Sequence, residues 1–229
     1  MLEQGVIVIG TDTGVGKTCI AAALLLALRS HGIAALPMKP VQTGAEDGRA
    51  PDLDASLAAA GLSVDAARYD ELAPYRFPLP ASPHLAARVA GARIDPERIV
   101  SIARHLQAAG QPLVVEAAGG ALVPINDHTL QVDLLLRFNL PLILVARPGL
   151  GTLNHTLLTL EALRRRDAVP CGIVLNGINP EGNLIEQDNR ATLQRMNPDV
   201  PVLPFPRLAD LTPDALRHAG RALLDGLEK

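Results

Sequence analysis

Short apolar runs alternate along this chain between strand-like and helix-like spacing, with glycine, proline and charged residues between them. Val6-Ile7-Val8-Ile9 is β-branched and long enough for a buried strand, and Cys19 to Arg29, rich in Ala and Leu, reads as a helix. Gly32 stops that helix, and Ile33 to Met38 predicts a second short strand. Asp52-Leu53-Asp54 opens a helix to about Ala60, ending at Gly61. Asp65 to Pro83, with four prolines, predicts an irregular surface excursion. Ser82-Pro83 and Asp95-Pro96-Glu97 each combine a cap with proline at the first helical position, predicting helices to about Ala90 and Gly110.

Further along, Pro112 to Glu116 reads as a strand and Leu140 to Ala146 as the clearest central strand. A long helix follows over roughly Thr152 to Arg166; its closing Arg164-Arg165-Arg166 suits the negative end of the helix dipole. Cys171 to Asn176 predicts a strand, Glu181 to Arg195 a helix and Val200 to Leu203 a last short strand. Pro204 to Leu208 reads as a rigid loop and Pro213 to Leu227 as the closing helix. Alternating strands and helices predict an α/β fold, a mostly parallel central sheet with helices on both faces. No internal repeat or low-complexity tract interrupts it.

Composition narrows the partners. At 229 residues the expectation is a single domain over 1–229, able to bury roughly 70% of its unfolded surface. Aromatic residues are 2% and Trp is absent, so base stacking on aromatic platforms is excluded as a main binding mode. A net charge of -3 argues against a broad nucleic-acid surface. Cys19 and Cys171 sit in apolar runs and read as free, reduced thiols, consistent with a cytoplasmic protein. There is no basic leader and no apolar run near 18 residues, so neither a signal peptide nor a membrane span is expected.

The chemistry gathers at Gly10-Thr11-Asp12-Thr13-Gly14-Val15-Gly16-Lys17-Thr18, between the first strand and the first helix. A phosphate-binding loop belongs at that turn. Gly14 and Gly16 let backbone N–H groups curl around an anion, and the helix N-terminus adds partial positive charge. Lys17 supplies a full charge for terminal phosphates, and the Thr18 hydroxyl suits Mg²⁺. The usual pattern has glycine at position 11; here Thr11 stands there and Gly10 comes one residue early.

Other candidates sit at strand ends. Lys39, in Lys39-Pro40-Val41-Gln42-Thr43-Gly44, falls at the carboxyl tip of the second strand, where open α/β sheets bind ligands. Glu116 ends its own strand and is the expected second carboxylate contact of Mg²⁺; the small Ala117-Ala118-Gly119-Gly120 after it allows close approach to phosphates and would leave it open. Asp52 and Asp54 open a helix, where acids also serve as caps. Gly149 to Asn154 precedes a long helix, whose free N–H groups face whatever lies in front. The six histidines lack useful spacing.

Taken together, four stretches resemble the dethiobiotin synthetase family. They are the phosphate loop with its displaced glycine, Lys39 to Gly44, Val115-Glu116-Ala117-Ala118-Gly119-Gly120, and Leu150-Gly151-Thr152-Leu153-Asn154-His155. Ala117 departs from the family's usual glycine, and Gly14 stands where relatives sometimes carry an acidic side chain. The resemblance implies a P-loop NTPase fold and an ATP- and Mg²⁺-dependent cyclo-ligase. It would join CO₂ to 7,8-diaminononanoate, closing the ureido ring of dethiobiotin through a carbamate and a carbamic-phosphoric anhydride.

By the matching motifs, Gly14, Val15, Gly16, Lys17 and Thr18 would hold the triphosphate, with Ala117, Ala118 and Gly119 beneath it. Thr18, Glu116 and one aspartate, Asp52 or Asp54, would hold Mg²⁺. Lys17 and Lys39 would be catalytic, with Lys39 neutralising the carbamate. Thr13 and Thr43 would meet the diamine end, and Gly149, Leu150, Gly151, Thr152, Leu153 and Asn154 of a partner subunit the substrate carboxylate, implying a homodimer. Asn176 would offer both donor and acceptor to the adenine edge, with Pro206, Arg207 and Leu208 nearby. A partitioning-type ATPase switch is the alternative. It shares Gly-Val-Gly-Lys-Thr but needs lysine in place of Asp12, and a basic or amphipathic surface element this sequence does not show.

Overall fold

The computed structural model describes residues 2–179 and 183–228. The first strand, β1 (Gly5–Gly10), lies near the middle of a six-stranded parallel sheet in the order β2-β5-β1-β6-β7-β8. Its neighbours are β5 (Leu113–Gly120) and β6 (Leu142–Ala146); β2 (Leu36–Met38), β7 (Gly172–Ile178) and β8 (Val202–Pro206) extend the sheet on either side. Successive residues of β1 face opposite ways, so Val6 and Val8 enter one core while Ile7 and Ile9 enter the other.

The Val6 side is covered by α1 (Lys17–Ser30) and α9 (Pro213–Leu227). Helix α1 is buried nearly all round, which fits its Ala- and Leu-rich sequence. The two helices pack closely at Gly220, where an added Cβ would lie 2.1 Å from the Ala23 carbonyl oxygen. On the Ile7 side lie α2 (Pro51–Ala59), α3 (Ala66–Leu72), α4 (Pro83–Val89), α5 (Pro96–Ala108), α6 (Gln131–Leu135), α7 (Thr152–Arg164) and α8 (Leu184–Met196). Among the described residues no helix is long and apolar enough to cross a membrane.

Several expected elements change. Residues 65–83 are not irregular: they form α3 and β4 (Tyr75–Phe77), which pairs in parallel with β3 (Val41–Thr43) in a small second sheet. Proline there marks element ends rather than a structureless run. The second strand begins only at Leu36, and the Pro204–Leu208 loop is instead partly strand, since β8 runs to Pro206. Prolines are tolerated there because β8 is an edge strand. Helix α6 is only five residues long and no sequence pattern predicts it. The helix expected from Glu181 begins at Leu184; Glu181 itself lies outside the described residues.

Candidate active site

Parallel neighbours in a sheet end at the same side, and the order β2-β5-β1 therefore brings three segments together. They are the phosphate loop after β1, Lys39 just past β2, and Glu116, which lies at the middle of β5 rather than at its end because the strand runs on through Ala117–Gly120. The loop's shape depends on Gly16, which caps α1 at φ 92° and leaves no room for a Cβ, because the Asn176 side chain would be 1.8 Å away. Asn176 Nδ2 donates to the Val15 carbonyl at 2.9 Å, tying β7 to the loop.

Lys39 sits at the centre of the charge cluster, with 4% of its surface exposed. Its Nζ lies 2.7 Å from Asp52 Oδ2 and 2.7 Å from Glu116 Oε1, and 3.2 Å from the Ala117 carbonyl. Burial alone would lower the pKa of Lys39, but the charges of Glu116 and Asp52 and their hydrogen bonds outweigh it and raise it. Asp52 is the counterpart: burial opposes its charge, yet Lys39 and hydrogen bonds from Thr18 and Gln42 hold its carboxyl below the usual range. Thr18 Oγ1 donates to Glu116 Oε1 at 2.9 Å and lies 3.2 Å from Asp52 Oδ1.

Lys17 is also buried, and its Nζ donates to the Asp12 carbonyl at 2.9 Å. Burial, and then the nearby Lys39 ammonium, lower its pKa to about 8. The two lysines thus differ: Lys39 is locked by two anions, whereas Lys17 is short of negative charge. An anionic ligand would supply it.

Two carboxylates and one hydroxyl converging within 3.2 Å are hard oxygen donors, and they fit a small divalent cation such as Mg²⁺. Among the described residues no group of three or more His, Cys, Asp or Glu could hold a metal. Thr18, Asp52 and Glu116 would therefore be only part of what holds such an ion. Of the two aspartates, only Asp52 joins the cluster. Asp54 is two positions further round α2 and faces away; its carboxylate takes Arg49 at 2.6 and 2.9 Å and the Tyr69 hydroxyl at 2.9 Å.

A cleft of about 660 Å³ unites Thr13, Gly14, Gly16, Lys17, Thr18, Lys39, Thr43, Asp52, Glu116, Ala118 and Gly119. A wider hollow of about 750 Å³ beside Tyr69 has Asp54 in its wall but none of the phosphate-loop residues, so the smaller cleft is the candidate site. Glu116 is not left open by its small neighbours; it is 5% exposed, closed in with Lys39. Ala117 is buried beneath the cleft, and the Ala118 N–H is already spent on Gln131 Oε1 at 2.7 Å. Asn176 gives one N–H of its amide to Val15, which leaves its second N–H and its Oδ1 to meet a base.

The remaining candidates lie outside the cleft. Arg207 N–H donates to the Ile178 carbonyl at 3.1 Å, placing Pro206–Leu208 along the β7–β8 edge beyond Asn176. Gly149 to Asn154 forms the turn into α7, with Gly151 at φ 92° and Leu150 93% exposed; the chain does not fold it onto its own cleft. Asn189 Nδ2 braces that turn through the Pro148 and Gly149 carbonyls. Sequence reasoning missed Gln42, Val123 and Pro80 to Pro83 as cleft walls, the last because the 65–83 stretch reads as a surface excursion. Gln42 alone carried a signal, lying inside the Lys39–Gly44 motif.

A parallel sheet with a glycine loop, an N-terminal helix and this cluster at the strand ends defines a P-loop NTPase fold. Solved structures agree in fold: a ParA family ATPase from Chlorobium tepidum TLS has a TM-score of 0.55 at 16% identity, covering 99% of this chain and 94% of that one. Cobyrinic acid a,c-diamide synthase from Mycobacterium smegmatis, with bound ADP and magnesium, has a TM-score of 0.55 at 17% identity, covering 99% and 96%. The AAA domain family model matches residues 4–215. The ATP-dependent dethiobiotin synthetase BioD of Anaeromyxobacter dehalogenans (strain 2CP-C) is 42% identical over 96% of this chain and 95% of its own. The chain belongs to the dethiobiotin synthetase family, ATP-dependent ligases of biotin biosynthesis.

Proposed function

We propose that the chain works as one domain over residues 1–229, a cytoplasmic, Mg²⁺-dependent cyclo-ligase. It forms a carbamate from CO₂ and one amine of 7,8-diaminononanoate. The carbamate oxygen attacks the terminal phosphorus of ATP, giving the carbamic-phosphoric anhydride and ADP. The second amine then attacks the carbonyl carbon, phosphate leaves, and the ureido ring of dethiobiotin closes. The observation that carries this reading is Lys39, buried between Asp52 and Glu116 at the edge of the phosphate loop.

Phosphoryl transfer needs placement and charge neutralisation more than a covalent nucleophile. Gly14 to Thr18 would cradle the triphosphate, and Lys17 would meet its terminal phosphates. Thr18, Asp52 and Glu116 would hold Mg²⁺, which would offset the charge of the phosphates. Lys39, fixed by its two carboxylates, would keep an ammonium beside the carbamate and the incoming phosphoryl oxygens. Thr13 and Thr43, both on the cleft wall, would bind the diamine end. Gly149 to Asn154 would take the carboxylate from the partner subunit of a homodimer; that none of these residues lines its own cleft supports the reading.

The partitioning-switch alternative shares only the fold at this level of identity. Incubation with ATP, Mg²⁺, the diamine and isotopically labelled bicarbonate should yield labelled dethiobiotin by mass spectrometry. Carboxylated diamine without a closed ring, or no labelled product, would contradict the proposal.

A further inference from the structure

Beneath the cleft, Gln131 is a buried polar side chain, 3% exposed, at the start of α6. Both ends of its amide are used on one short stretch of β5: Oε1 accepts from the Ala118 N–H at 2.7 Å, and Nε2 donates to the Gly120 carbonyl at 2.9 Å. Its own backbone N–H donates to the Val123 carbonyl at 2.8 Å, and that of Val132 to Ala121 at 3.0 Å. Between the two side-chain bonds lies Gly119, at φ +77°, where an added Cβ would stand 3.2 Å from Thr13 Oγ1 and 3.2 Å from Val123 Cγ2. The bonded stretch is therefore the cleft floor itself, pressed against a residue assigned to the diamine end.

We infer that Gln131 is a positioning residue for ring closure: it clamps Ala118 to Gly120 so that the floor beneath the reacting groups is set before substrates bind. The inference rests on the ligase reading above. A buried amide satisfied at both ends orients its partners tightly, and losing it strands a backbone N–H and a carbonyl. Although the resemblance sets Ala118 and Gly119 beneath the triphosphate, the Ala118 N–H is already taken by Gln131, so the grip on ADP falls to Gly14 to Thr18 and the effect should fall on turnover rather than on ADP affinity. A misplacement of about 1 Å at a reacting centre can cost about a hundredfold.

The test is Gln131→Met, of similar length but unable to make either bond, beside Gln131→Asn, which keeps the amide but is too short to span both partners. For each, kcat with saturating ATP, bicarbonate and diamine is measured together with the ADP dissociation constant, thermal unfolding and hydrogen exchange of the Ala118 amide. Faster Ala118 exchange in a protein that still unfolds cooperatively, with kcat down about ten- to a hundredfold and ADP affinity within about threefold, supports the clamp. Unchanged exchange or unchanged kcat overturns it. So does a parallel fall in kcat, ADP affinity and stability in both variants, which marks a structural role only. Should Gln131→Met fail to fold, Gln131→Asn decides by the same readings. Absence of ring closure in the wild-type protein would defeat the ligase reading instead, a result the variants are not needed to recognise.

Discussion

At the residue scale, the two lysines divide the work. On the proposed reading Lys17 would grip nucleotide before the other substrates arrive, whereas Lys39 would meet the transferring group. Lys39→Ala should therefore lower kcat more than it weakens ATP binding, and Lys17→Ala should harm both, each losing about 2–4 kcal/mol of transition-state stabilisation. Near-full turnover of Lys39→Ala at saturating substrates would contradict the assignment. Lys17 also makes a pH prediction. Its pKa of about 8 in the free protein should rise when a polyphosphate supplies negative charge. Affinity for ATP is then full below about pH 8, falls as pH rises through that value, and binding takes up protons between about 8 and the ordinary 10.5. Calorimetry in buffers of different ionisation enthalpy reads that uptake directly; none in that window would refute it. The aspartates separate as cleanly. Asp52→Asn should cost about a hundredfold or more in kcat, as loss of one preorganised charge does, whereas Asp54→Asn loosens a half-exposed pair with Arg49 worth about 1 kcal/mol or less and leaves turnover nearly intact. Equal losses from both would reverse the assignment.

At the scale of elements, the chemistry was more legible than the connections. The phosphate loop was readable because a β-branched strand, a glycine turn and an Ala-Leu helix coincide, each visible on its own. Lys39 was readable as a strand end and Glu116 as a strand acid, though β5 continues past it to Gly120; their contact was not readable, since they lie 77 positions apart and only strand order joins them. Choosing Asp52 over Asp54 needed the rotation of α2 about its axis. The 65–83 stretch misled because four prolines outweighed a short helix and a three-residue strand, both held by tertiary packing. Gln131 had no sequence signature, being one glutamine before an apolar run. The turn into α7 carries its own prediction. Gly151→Val, forced into φ 92°, should raise KM for the diamine and leave that for ATP nearly unchanged. Equal weakening of both would reduce the loop to a tight turn.

For the molecule as a whole, the two cores frame the strand ends proposed to carry the reaction, while the loop proposed for the substrate carboxylate is not among the residues that line its own cleft. A long aliphatic substrate with amines at one end and a carboxylate at the other suits a site shared between two subunits. Among the described residues, the two acids of the cluster with Lys17 and Lys39, Asp52 and Glu116, are tied to Lys39 and Thr18 rather than held ready to activate water. Phosphate should therefore leave ATP only for a bound carbamate. The direct measurement is phosphate release from ATP and Mg²⁺ with the diamine and bicarbonate added singly and together. The account predicts rapid release only with both present, one phosphate for each ring closed; steady hydrolysis by the protein alone, unchanged when they are added, would contradict it.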